Sequence, residues 1–179
     1  MEDRTMPRLS ELVDASRLIL TCGISGSGKT TLSRRLESRG FRRLSADALI
    51  HDAFGAELSA LPFEERRLRF AAVAQRLLEM AVDALRRGER VVVDSTLCKR
   101  KMRNAYRRHC SEIGVAPLII YLPADFEILI SRLATRKGES PDDQVVSREE
   151  LQYYFDNFEA PQADEAFISV SASMCMREL

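Results

Sequence analysis

The chain has 179 residues, 45% hydrophobic and 30% charged, enough apolar mass to bury a core and too much for a disordered segment. Lys and Arg together number 27, as do Asp and Glu, so no global field draws the chain to nucleic acid or to a lipid surface, and any such partner must be met by a local patch. Cys22, Cys98, Cys110 and Cys175 show no C-x-x-C spacing and read as reduced thiols of a cytoplasmic protein, and no apolar run approaches the length of a membrane span.

Residues 1–16 mix Glu2, Asp3, Arg4, Arg8, Glu11 and Asp14 with scattered leucines, which is not the apolar core of a signal peptide and reads as an N-terminal extension. An apolar strand over 18–22 then runs into Gly23-Ile24-Ser25-Gly26-Ser27-Gly28-Lys29-Thr30-Thr31, followed by a helix over 29–39. This is a phosphate-binding loop in the strand–loop–helix setting that its mechanism requires. The three glycines let the backbone curl so that N–H groups converge on an anion, and the helix adds its positive end. Lys29 is placed to reach the β- and γ-phosphates of a nucleotide, and the Thr30 hydroxyl to hold Mg²⁺.

A short strand over 41–44 leads to Ser45-Ala46-Asp47 and a helix over 46–54. An acid where a parallel strand ends faces the ligand and can accept the proton of an attacking hydroxyl, although Asp47 could also simply cap its helix. Asp52-Ala-Phe-Gly55 matches a D-x-x-G switch, but it falls inside that predicted helix, and no Asn-Lys-x-Asp guanine signature occurs. A long helix over 62–87 carries Leu68, Ala71, Ala72, Gln75, Leu78, Ala81, Val82 and Leu85 at spacings of three and four, read as a core stripe. The strand over 90–94 ends in Asp94-Ser95-Thr96, where an Asp suits the water shell of Mg²⁺ or a cap for the next helix. That helix, 99–113, holds Lys99, Arg100, Lys101, Arg103, Arg107, Arg108 and His109, either a solvated face with Met102, Ala105, Tyr106 and Cys110 buried or a grip for an acidic acceptor. After a strand over 118–122, a helix over 125–135 carries Arg132 and Arg136 on one face and runs into a polar segment. That layout fits a lid over about 132–147, with the arginines on the nucleotide phosphates. A helix over 147–158 and a strand over 166–170 complete the pattern, and the tail shows no obvious closing helix.

Alternating strands and helices of this kind predict one α/β domain across residues 1–179, with a five-stranded parallel sheet between helices, in the P-loop nucleoside triphosphate hydrolase class. The chain resembles the P-loop kinases of the polynucleotide 5′-kinase type, AAA-type ATP-binding domains with kinase character, with zeta toxins and chloramphenicol phosphotransferase as more distant relatives. The resemblance spans about 18–161 and rests on residues 23–31, Ser45-Ala-Asp47, Val93-Asp-Ser-Thr96, Arg132-x-x-x-Arg136 and Phe158-Glu-Ala-Pro161. It implies ATP and Mg²⁺ as ligands, Asp47 as catalytic base, and Arg136 as a lid contact to the ATP phosphates. Polynucleotide kinases carry an Arg three residues after that Asp, whereas this chain has Ile50 and then His51. Two classes stay open: a kinase acting on a hydroxyl of a small molecule or a nucleic-acid end, or an ATP-binding switch or ATPase with no acceptor. A monomer or weak homodimer without a membrane partner is expected.

Overall fold

The computed structural model describes residues 8–55, 61–136 and 145–179. Five parallel strands, β1 (Leu18–Cys22), β2 (Arg42–Ser45), β3 (Val91–Asp94), β4 (Pro117–Tyr121) and β5 (Phe167–Ser169), form one sheet in the order β2-β3-β1-β4-β5. The register sets Leu18 beside Val91 and Pro117, and Ser45 beside Asp94. Every residue of β1 and β3 is buried, because helices cover both faces, and this is why these strands read as unbroken apolar runs.

Side chains alternate across the sheet, so each strand feeds two cores. On one face Leu18, Leu20, Val91, Val93 and Ile119 pack against α4 (Phe63–Arg86) and α5 (Arg100–Ser111). On the other, Ile19, Val92 and Ile120 pack with Leu32 and Leu36 of α2 (Lys29–Glu37) and with two further helices, α1 (Leu9–Ala15) and α8 (Ala172–Glu178). The remaining helices are α3 (Ala46–Phe54), α6 (Phe126–Leu133) and α7 (Arg148–Asp156).

The strands and the six longer helices fall where the sequence places them, with no end shifted by more than two residues. Two expectations are corrected. Within the segment read as an N-terminal extension, Leu9–Ala15 form a packed helix, and the tail does have a closing helix: α1 and α8 pack together, with Leu9, Val13 and Cys175 in the core and the Leu9 N–H donating to Glu178 at 3.3 Å. Each helix has seven residues, about two turns, too short for a periodic stripe to stand out.

The second correction concerns α4. Leu78, Ala81, Val82 and Leu85 are buried as expected, but Leu68 is 75% exposed and Ala71, Ala72 and Gln75 face solvent. At 24 residues α4 is about 36 Å long, nearly three times the length of the four-residue strands β2 and β3 beneath it. Its first turns therefore overhang the sheet and pack sideways on α3, burying Val73 with Ile50 and covering Phe54, Leu61 and Phe70 in part. Half of the expected lid, residues 137–144, lies outside the described residues.

Candidate active site

The loop between β1 and α2 is shaped by glycines that nothing else could replace. Gly23 has φ 154°, and a Cβ there would meet the Leu122 carbonyl at 2.7 Å and Ser27 Oγ at 2.6 Å. Gly28, which precedes α2, has φ 107° in the left-handed region, where a side chain is strained. The loop is fastened to its neighbours: the Gly23 N–H donates to the Thr96 carbonyl at 3.1 Å, and Arg132 Nη1 of α6 donates to the Gly26 carbonyl at 3.0 Å. Helix α2 begins at Lys29, so its first N–H groups have no helical acceptor and point toward the loop's concave side.

A cavity of about 300 Å³ opens at this point, where the strands end. Its floor is Ser25, Gly26, Gly28, Lys29, Thr30 and Thr31. Asp47, Asp94, Ser95 and Thr96 form one side, and Arg132 and Arg136 another. Arg35 of α2 and Cys175 of α8 complete the wall, so the helix absent from the sequence reading contributes to the site. Of the loop residues expected to bind the nucleotide, Gly23, Ile24 and Ser27 stand behind the floor; Ile24 borders a second cavity of about 320 Å³ beside Tyr121, Phe155 and Phe158. Four cationic side chains against two carboxylates make the main cavity a setting for a polyanion.

Lys29 is buried and folds back on its own loop, with Nζ donating to the Ile24 carbonyl at 3.0 Å. Burial pushes its pKa below the usual lysine value, while the nearby carboxylates of Asp94 and Asp47 pull the other way. The cap of α3 is Ser45, whose hydroxyl accepts from the Ala48 N–H at 3.2 Å. Asp47 sits two positions further, in the first turn and on the cavity wall, past the cap itself. Asp94 does not cap α5 either. Its Oδ2 accepts from Ser33 Oγ at 2.7 Å, from Arg43 Nη2 at 2.6 Å and from Arg43 Nε at 3.0 Å. Arg136 lies just past α6, its N–H bonded to the Leu133 carbonyl at 3.0 Å, and still reaches the cavity.

Much of the charge of the basic helix α5 is answered inside the protein. Arg103 is fully buried on Glu165, Arg100 pairs with Asp164, and Lys99 pairs with Glu159 at 3.1 Å. Tyr106 is buried and is not available to stack on a base. Met102, Ala105 and Cys110 join it against the core, as the amphipathic reading requires. Among the described residues no group of three or more His, Cys, Asp or Glu is arranged to hold a metal, and His51 and His109 stand apart from the cavity. Sequence reading missed Ser33, Arg35, Arg43 and Cys175: each is a single residue of ordinary type whose role exists only through packing.

A probable gluconokinase of Mus musculus is 29% identical over 187 residues, covering 93% of this chain and 95% of that protein. A sugar kinase from Janibacter sp. HTCC2649 superimposes with a TM-score of 0.67 at 22% identity, over 90% of this chain and 91% of that one. A gluconokinase from Sinorhizobium meliloti 1021 gives 0.60 at 23% identity, over 89% and 87%. These two structures share the fold. The AAA-domain family model matches residues 18–161, the stretch from β1 through the end of α7 and the turn that follows, and by that match and the loop geometry the chain belongs to this family and is a P-loop kinase.

Proposed function

We propose that the chain transfers the γ-phosphoryl group of ATP to a hydroxyl of a small polyhydroxy acid of the gluconate kind. The observation that carries this reading is the single cavity that holds Lys29, Asp47, Arg132 and Arg136 together at the ends of β1, β2 and β3. Phosphoryl transfer needs positioning and charge stabilisation more than covalent chemistry. The N–H groups at the start of α2 and Lys29, once swung from the Ile24 carbonyl, hold the phosphates. Arg136, with Arg132, offsets charge that develops on the transferred group. Asp47 accepts the proton of the attacking hydroxyl.

Thr30 and Asp94 are hard oxygen donors lining one cavity, which fits Mg²⁺, and the ion when bound would neutralise phosphate charge. An anionic acceptor is favoured by the excess of cations on the cavity wall, where Lys29, Arg35, Arg132 and Arg136 face Asp47 and Asp94. The mouse relative, a probable gluconokinase, points the same way.

The test is a panel of gluconate, glucose, nucleosides and a 5′-hydroxyl oligonucleotide, each with ATP and Mg²⁺, read by ³¹P NMR. Gluconate or a related aldonate should gain phosphate fastest. Preference for the oligonucleotide, or ADP released at the same rate with no acceptor, would overturn the reading. Within it, Asp47→Asn should lower turnover roughly 10²–10⁴-fold with ATP affinity nearly intact. Lys29→Ala should lose most ATP affinity by calorimetry while keeping the fold.

A further inference from the structure

Asp94 is the most enclosed carboxylate on the cavity wall, its side chain 4% exposed. A buried carboxylate with no counter-charge is costly, so something must answer it. Arg43, from the neighbouring strand β2 and itself only 12% exposed, does so. The form of the pairing is uncommon: Nε and Nη2 of the guanidinium both donate to Oδ2, and Ser33 Oγ donates to that same oxygen. A guanidinium facing a carboxylate usually spreads two bonds over two oxygens. Here Oδ1 takes none of these three bonds. Lys29 lines the same cavity, close enough for the Asp94 charge to act on it.

We propose that Arg43 is a fixed counter-cation that keeps a divalent metal from binding Asp94 until nucleotide phosphates bring it in. The proposal rests on the reading that this cavity takes a metal–nucleotide pair, and does not depend on which acceptor is phosphorylated. With Arg43 on Asp94, and Lys29, Arg35, Arg132 and Arg136 outnumbering Asp47 and Asp94 on the cavity wall, a bare dication approaching Asp94 meets net repulsion. The phosphates of a nucleotide reverse that sign. Arg43 also relieves the empty site of an unpaired buried charge, so the fold does not need the metal to stand. It is a positioning residue: Oδ2 is anchored by Arg43 and Ser33, and Oδ1 has no share in those bonds.

The probe is Mn²⁺ in the absence of nucleotide, followed by electron paramagnetic resonance of the free ion. The parent protein should hold Mn²⁺ weakly alone and well with a non-hydrolysable ATP analogue. Arg43→Gln should tighten nucleotide-free Mn²⁺ binding by roughly tenfold or more, from the loss of one nearby positive charge. Arg43→Lys and Ser33→Ala, which retain a cation, should behave as the parent does. Equal Mn²⁺ affinity in Arg43→Gln and the parent would overturn the proposal. Should Arg43→Gln fail to fold, the parent and Arg43→Lys still decide it: nucleotide-free Mn²⁺ binding as tight as that with the analogue in either protein excludes a guarding cation. A failed acceptor screen would leave these metal measurements unchanged, so the two readings fail separately.

Discussion

Two buried arginine–carboxylate pairs lie on either side of the β3 strand and its following loop, and they are built differently. Arg103 and Glu165 are both fully enclosed, and they meet fork to fork: Nε to Oε2 at 2.7 Å and Nη2 to Oε1 at 2.9 Å. The remaining donor, Nη1, goes to the carbonyls of Leu97 and Glu159, and Glu165 also accepts the Gln162 N–H. Every group is answered inside the protein. Arg43 and Asp94 instead crowd three donors onto one oxygen at the rim of a cavity. The same two chemical groups serve as a clasp where closed and as a poised site where one oxygen is left over.

The clasp holds what the site needs. Arg103 fixes the carbonyl of Leu97, a residue held at φ 43°, and so shapes the loop that carries Ser95 and Thr96 to the cavity and the Thr96 carbonyl to the Gly23 N–H. If closure is the difference, breaking the clasp must cost more stability than breaking the rim pair. Arg103→Ala leaves Glu165 buried with no counter-charge and should cost about 3–5 kcal/mol in urea unfolding. Arg43→Ala leaves Asp94 with Ser33, Lys29 and cavity water, and should cost less, about 1–3 kcal/mol. Equal losses would erase the distinction.

A smaller effect sharpens the same point through pH. The hydrogen bonds from Arg103 hold the Glu165 carboxyl below the usual glutamate range. A depressed value stabilises the fold above the unfolded-state pKa of about 4.3, and that stability is lost as pH falls below it. The double variant Arg103→Met with Glu165→Leu should fold with similar stability at pH 7, since apolar groups of like volume often replace a buried pair without loss. Its urea midpoint should fall less than the parent's between pH 6 and pH 3. Measurement in high salt is needed, because Glu89, Glu149 and Glu159 are also depressed and lie at the surface, where salt screens them. An acid limb unchanged in the double variant would remove Glu165 from the account.

What the sequence disclosed follows the same division. The loop of residues 23–31 was legible because its chemistry is local: glycines, a lysine and a threonine at fixed spacing act through their own backbone. The sheet was legible because two covered faces force continuous apolar strands. Asp47 and Asp94 were visible as acids at strand ends, but whether they cap helices was not. Only the fold shows Ser45 taking the cap of α3 and Arg43 crossing from β2 to reach Asp94. Arg103 looked like one more charge in a basic run, because its partner Glu165 lies 62 residues away. The two short helices escaped for want of length, and α4 was misread because its period was taken as constant where the neighbour underneath it changes.

That misreading gives the smallest effect, and again closure is the variable. Leu68 and Leu77 lie on one helix, yet Leu77 is 1% exposed in the sheet-facing core and Leu68 is 75% exposed on the overhanging turns. Leu77→Ala should cost about 2–5 kcal/mol, as methylene groups and packing are lost together. Leu68→Lys should stay within about 0.5 kcal/mol of the parent, since lysine forms helix nearly as well as leucine and its ammonium meets only water there. The urea midpoints of the two variants decide the matter. A loss above about 1 kcal/mol at Leu68 would mean that the stripe first read from the sequence is covered in solution after all, and that the face of α4 over residues 68, 71, 72 and 75 has a partner there.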